Sequence, residues 1–250
     1  MNILTDEMIQ DYRKNGVIKI SKIITEKEAH YYRNLALEFI KDQKKLYGDK
    51  NYANRLTIRF NLWLESSEWK KLTLHPVITN IAKKLAGIPL RLWHDHILVK
   101  KPKNNLATEF HQDQTKWPHD NSYQSLTVWV ALQDTPIEKG CLTFIPRSHL
   151  MTDLPDVKLS VKNGYKTVWS DIEWASRLTI PLKAGDCTFH HCRTIHAASP
   201  NMTDDWRVAH TAIFMDENTI FNGKMNLSEI ITPDICIVGE KITGKTFPTI

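Results

Sequence analysis

No stretch of this sequence approaches the roughly 18 consecutive apolar residues that a membrane-spanning helix needs, and no dense Lys/Arg block accompanies the net charge of +5. Membrane and nucleic acid are therefore not expected partners, while a diffuse basic balance suits anionic small molecules. Cysteine is scarce: Cys141, Cys187, Cys192 and Cys236 are spread irregularly over 250 residues. That excludes a disulfide-built secreted scaffold and points to a reducing, cytoplasmic setting. With 9 Gly, 11 Pro and no low-complexity block, disorder explains little. The amino terminus carries acids where a targeting peptide would be basic and apolar, and the final FPTI is neither a peroxisomal nor a retention tag. The expectation is an untargeted protein with no obligate protein partner evident.

What is present divides the chain in two. Residues 5–14 pattern as a short helix ending at Gly16, followed by a strand, VIKI. Thr25 and Glu28 form a capping-box pattern ahead of a longer helix expected to run toward Gly48, and Pro76 opens another that closes at Gly87. From residue 90 the pattern changes to short segments rich in β-branched and aromatic residues: RLWHDHILVK, SLTVWVAL, CLTFIP, RLTIPL, CTFHHC and RVAHTAIFM. Strands without intervening helices predict a mainly β protein with amino-terminal helices packed on a double-sheet jelly roll. We expect a single domain over 1–250, with helical support at 1–89, a β core at about 90–216 and a tail at 217–250. The aperiodic stretch 151–175 has the length of a lid or a surface insertion.

Candidate chemistry begins with FHQDQTKW, residues 110–117. On an extended segment His111 and Asp113 point to the same side, so both can reach one ion. Two imidazoles and a carboxylate on one face of a metal leave positions open, as in non-heme Fe(II) oxygenases. His190, His191, His196 and His210 compete to be the third ligand, and strand alternation in CTFHHC lets at most one of His190 and His191 point inward. Cys187, His190, His191 and Cys192 offer a rival zinc set, although their spacing lies outside the common structural patterns. Arg207, opening the last strand, is costly inside a barrel unless it meets an anion, and its planar fork suits a carboxylate.

Taken together and in order, HQD (111–113), WVALQDTPIEKGCLTFIPRSH (129–149), GDCTFHHCRTIHAASPN (185–201) and WR (206–207) resemble the phytanoyl-CoA dioxygenase family of Fe(II)/2-oxoglutarate-dependent oxygenases. The match spans roughly residues 10–215. The resemblance implies a double-stranded β-helix, cupin-like, with His111, Asp113 and His196 as iron ligands and Arg207 on the distal carboxylate of 2-oxoglutarate. It places Gln112 and Trp129 along the co-substrate pocket, with Arg59 as a supporting base. Trp117, Phe189, Arg193 and Asp95 are candidate substrate contacts.

The implied cofactors are Fe(II), 2-oxoglutarate and O2. The implied reaction couples release of succinate and CO2 to hydroxylation of an unactivated C–H bond in a small metabolite, such as an amino acid derivative or biosynthetic intermediate. Desaturation or cyclisation is the alternative outcome, and a non-catalytic jelly-roll binding protein the alternative class. Related halogenases need a small residue at the carboxylate position, so Asp113 argues against halogenation.

Overall fold

The computed structural model describes residues 3–41, 56–151, 165, 169–224 and 236–250. Helix α1 (Asp6–Asn15) starts where the Thr5 hydroxyl accepts the Met8 N–H and stops at Gly16, whose φ of 76° only glycine adopts without strain. Gly16 also has no room for a Cβ between His149 and Thr194. β1 (Val17–Ile20) follows. α2 (Glu26–Phe39) opens on the full Thr25/Glu28 capping box, worth about 1 kcal/mol; its expected continuation to Gly48 lies outside the described residues. β2 (Thr57–Phe60), α3 (Leu62–Glu65) and α4 (Ser67–Thr73) come next. α5 (Pro76–Ala86) has proline in its first turn and Gly87 at its end, as its sequence dictates.

The β region contains β3 (Leu90–Lys100), β4 (Thr108–His111), β5 (His119–Asp120), β6 (Leu126–Ala131), β7 (Leu142–Phe144), β8 (Leu178–Ile180), β9 (Cys187–His191), β10 (His196–Ala198), β11 (Arg207–Asp216) and β12 (Ile220–Phe221). They form a six-stranded sheet in the order β1-β9-β6-β11-β3-β2 and a four-stranded sheet in the order β4-β10-β7-β8, with β5 and β12 as a separate pair. All ladders are antiparallel. This is the double-sheet jelly roll that the strand pattern predicts, and the double-stranded β-helix that the resemblance implies. β2, β4 and β10 are too short to stand out by periodicity alone, yet β4 and β10 carry the site.

The helices cover one face of the larger sheet, where Trp69, Leu72, Ile78, Ile81 and Leu85 pack with Val128, Val130, Phe189 and Phe214. That burial is the main favourable term in the fold. The opposite face of the sheet looks into the barrel. Of the segment expected as a tail, the described residues 236–250 are packed against β3: Phe247 stacks on Trp93, Ile242 and Phe247 are buried, and the backbone bonds Leu92 to Pro248 and Ile250 to Leu90. Its apolar residues are too few for a periodic signal but enough to cap the end of β3. Of 151–175, residues 152–164 and 166–168 lie outside the described set; Tyr165 is buried and residues Ser170–Glu173 make a short 3-10 turn.

Candidate active site

Antiparallel pairing of β10 with β4 sets His196 directly opposite His111, and their ring centroids lie 4.2 Å apart. Asp113 follows two residues beyond, where the chain leaves β4. Its Oδ1 lies 3.6 Å from His111 Nε2 and 3.7 Å from His196 Nε2. Among the described residues these three form the one cluster whose donor atoms converge within 4.8 Å.

Both imidazoles are oriented by the same local device. His111 Nδ1 donates to Glu109 O at 2.8 Å, and His196 Nδ1 donates to Thr194 O at 3.0 Å. With the proton held at Nδ1, each Nε2 presents a lone pair toward Asp113, the form in which histidine binds a metal. The Thr194 strut reaches the helical layer, since its hydroxyl donates to Gly16 O at 2.7 Å. Gly16 O also accepts the His191 N–H. A turn whose geometry requires glycine thus steadies the loop that aims His196.

The carboxylate is divided in its duties. Oδ2 accepts the Thr127 hydroxyl at 2.8 Å and faces His190 Nε2 at 3.3 Å, which leaves Oδ1 for the two ligand imidazoles. Burial pushes the Asp113 carboxyl upward, but His196, His111 and His190 together outweigh it and hold Asp113 well below the usual carboxylate range. His196 is pushed well below an ordinary histidine by burial and by His111. At neutral pH Asp113 is thus an anion beside a neutral His196, which suits a divalent ion.

The cluster opens on a cavity of about 190 Å³. Arg207 reaches it from the end of β11 at 1% exposure; its Nη1 donates to Leu98 O at 3.1 Å and its guanidinium lies 5.6 Å from the Trp129 ring centre. Asp113 is the sole carboxylate among the described lining residues.

A phytanoyl-CoA dioxygenase family model matches residues 12–209. The chain belongs to the phytanoyl-CoA dioxygenase family. Human peroxisomal phytanoyl-CoA dioxygenase is 22% identical over 263 residues, covering 97% of this chain and 78% of that protein. Among solved structures, the non-heme alpha-ketoglutarate-dependent carbocyclase SnoK from nogalamycin biosynthesis is 32% identical with a TM-score of 0.88, covering 99% of this chain and 96% of its own. The epimerase SnoN, solved with Fe3+, alpha-ketoglutarate and nogalamycin RO, is 30% identical with a TM-score of 0.84 over 98% of this chain and 97% of its own. The phytanoyl-CoA dioxygenase family is thus one of Fe(II)/2-oxoglutarate-dependent oxygenases.

Trp129, which the resemblance places along the co-substrate pocket, and Trp117, a candidate substrate contact, line the cavity. Several other candidates do not. Arg59 alternates with the cavity-facing Ile58 and Phe60 and points the other way. It is held by Glu65, by Phe39 O at 2.7 Å and by the Phe39 ring at 4.4 Å. Gln112 points away between its two inward neighbours, donating to Arg193 O and accepting from the Tyr165 hydroxyl. Asp95 faces the helices, where it accepts the Trp63 N–H and the Thr73 hydroxyl. Phe189 belongs to the helix-side core, and Arg193 reaches Met151 O.

The rival Cys/His set is dispersed. His190 lines the cavity, Cys187 joins the helix-side core, and His191 donates to Tyr123 O. Three cavity groups were missed for the roles they occupy. Thr127 and His190 are register partners on β6 and β9, so both reach Asp113 from adjacent strands. From its sequence context His190 is only a competing ligand, because strand pairing is not visible in one chain segment. His94, in RLWHDHILVK, lines the wall with His96, and two-residue spacing on a strand was the available signal.

Proposed function

We propose that this protein is a 2-oxoglutarate-dependent oxygenase that oxidises an unactivated C–H bond of a small molecule, with hydroxylation as the outcome. The observation that carries it is the convergence of His111, Asp113 and His196 on the same cavity as the buried Arg207. The donor set fits ferrous iron: two imidazoles and one carboxylate, each fixed by a second hydrogen bond, with the cavity side left for other ligands. His111, Asp113 and His196 would hold the metal and Arg207 the distal carboxylate of 2-oxoglutarate. When bound, iron and 2-oxoglutarate activate O2, with succinate and CO2 released as the C–H bond is oxidised.

The chain's own contribution is orientation and exclusion of water. Glu109 O and Thr194 O lock the ring tautomers, Thr127 and His190 hold the unused oxygen of Asp113, and Ile58, Leu98 and Leu142 supply apolar walls. Dry walls strengthen the Arg207 contact and keep bulk water from the reacting bond. A second outcome, cyclisation or epimerisation, is favoured by one specific finding: the carbocyclase SnoK and the epimerase SnoN are each at least 30% identical over nearly the whole chain.

The test is anaerobic titration with Fe(II) and 2-oxoglutarate, followed by oxygen and measurement of succinate. We expect Arg207→Ala to weaken 2-oxoglutarate binding by roughly 10²-fold, the scale of a lost buried charge-assisted contact, without affecting metal binding. Unchanged affinity in that variant would overturn the co-substrate assignment. Product mass then separates hydroxylation, which adds one oxygen atom, from ring closure, which removes two hydrogens, and from epimerisation, which changes neither.

A further inference from the structure

The cavity is chemically different at its two ends. On β11, Arg207, Thr211 and Ile213 face inward, and at about 3.4 Å per residue Thr211 and Ile213 stand roughly 14 and 20 Å of strand from Arg207. Register pairs Thr211 with His96 and Ile213 with His94. A five-carbon keto-diacid anchored at Arg207 is shorter than either interval, so the His94–His96 wall is left for a different molecule. Phe60 stands beside it, its ring centroid 5.2 Å from His94 and 5.3 Å from His96. Trp117 and Ile213 complete this end.

The two imidazoles are not independent. Their Nδ1 atoms lie 3.3 Å apart, so one carries the shared proton and the other accepts it. For two neutral rings this fixes opposite tautomers: one Nε2 is a donor and the other an acceptor. Burial keeps both neutral, with His94 lowered to about 4 and His96 well below its ordinary value. Beyond Asp113 and Arg207, both assigned above to other ligands, no Asp, Glu, Lys or Arg is found among the described lining residues. Among the described residues, nothing else charged lies at this end to neutralise a substrate's carboxylate, ammonium or phosphate.

We propose that His94 and His96 form a paired donor–acceptor contact that selects an uncharged, ring-bearing substrate through a hydroxyl or carbonyl group, with its ring against Phe60 and Trp117. The inference rests on the function proposed above for the assignment of the opposite end to 2-oxoglutarate. It disfavours the amino acid derivatives expected from sequence, because a zwitterion would bring two charges to a wall whose described residues offer none to pair with them.

Calorimetric titration of the metal-free full chain with 2,6-dihydroxynaphthalene, naphthalene and 2-naphthoate tests it, and is repeated under anaerobic Fe(II) and 2-oxoglutarate. The dihydroxy compound should bind about tenfold more tightly than either other probe, the scale of one or two net hydrogen bonds. His96→Phe and, separately, His94→Phe should erase that preference while naphthalene binding persists. His96→Asn, which retains a donor and an acceptor, should keep part of it and guards against misfolding of the phenylalanine variants. Equal binding of 2-naphthoate, or a tenfold preference that survives both phenylalanine substitutions, overturns the proposal. Failure of 2-oxoglutarate to bind while the naphthalene preference holds would sink the function proposed above and leave the selectivity of this wall standing.

Discussion

Two aspartates, the buried Asp95 and the half-buried Asp113, sit on opposite sides of the barrel wall, and each has a histidine beside it. Asp95 lies under the helices: its oxygens accept the Trp63 N–H and the Thr73 hydroxyl, and His210 Nε2 lies 3.4 Å from Oδ2. His210 in turn stacks on Trp69 at 5.5 Å. Asp113 has one oxygen similarly committed, to Thr127 and His190, but its other oxygen shares a point in space with two imidazole lone pairs. Donors answer acceptors at Asp95, which makes it a staple between sheet and helices. Acceptors face acceptors at Asp113, an arrangement that a cation completes. Burial and an imidazole neighbour therefore do not identify a metal site; the direction of the lone pairs does.

The sharpest way to break this contrast is to remove each carboxylate in turn. Asp113→Ala should abolish Fe(II) binding and succinate release and lower the urea midpoint by less than Asp95→Ala does, because it strands only the Thr127 and His190 donors and removes a crowded acceptor. Asp95→Ala should cost about 3–5 kcal/mol of stability, because it strands buried donors, while the folded fraction keeps its metal affinity. Equal destabilisation by the two substitutions would erase the distinction.

Acid should act next, through imidazoles buried without charge. Burial lowers His94 to about 4, His119 to about 3 and His191 to about 4, from 6.5. In the window from pH 6.5 down to 4 the unfolded chain binds protons that the folded chain refuses. The stability these groups confer is thus complete above pH 6.5 and lost as pH falls through that window. Three such groups amount to at most about 4 kcal/mol between about pH 7.5 and 5.5. Urea unfolding at both pH values measures it, and an unchanged midpoint would show that these rings can be protonated in the fold.

A smaller effect tests the committed side of Asp113. Thr127→Val preserves shape but removes the hydroxyl donor on Oδ2; metal affinity should fall about tenfold, at the low end for an outer hydrogen bond to a ligand. Competition titration with a chromophoric chelator would detect it. No change would mean that His190 alone orients the carboxylate.

Some of this was legible before folding. The capping box at Thr25, proline and glycine bounding the helix Pro76–Ala86, and the change of period at residue 90 are local signals, and the structure follows them. His-x-Asp on an extended segment and an arginine at a strand start carried the site equally locally. Arg59 and Gln112 were misplaced because family position says nothing of which way a strand residue faces, and here alternation with Ile58, Phe60, His111 and Asp113 turns both outward.

The sequence by itself determined the secondary-structure types, the helical and β halves and the chemical character of His111, Asp113, His196 and Arg207, because capping, periodicity and side-chain chemistry act over a few residues. Tertiary structure alone decided that His196 lies opposite His111, that Thr127 and His190 meet on one oxygen of Asp113, and that His94 pairs with His96 at the far end from Arg207. The first two depend on register between strands far apart in the chain, and the third on how two rings turn within a buried wall. Hydrophobic burial on the faces of both sheets fixes those registers.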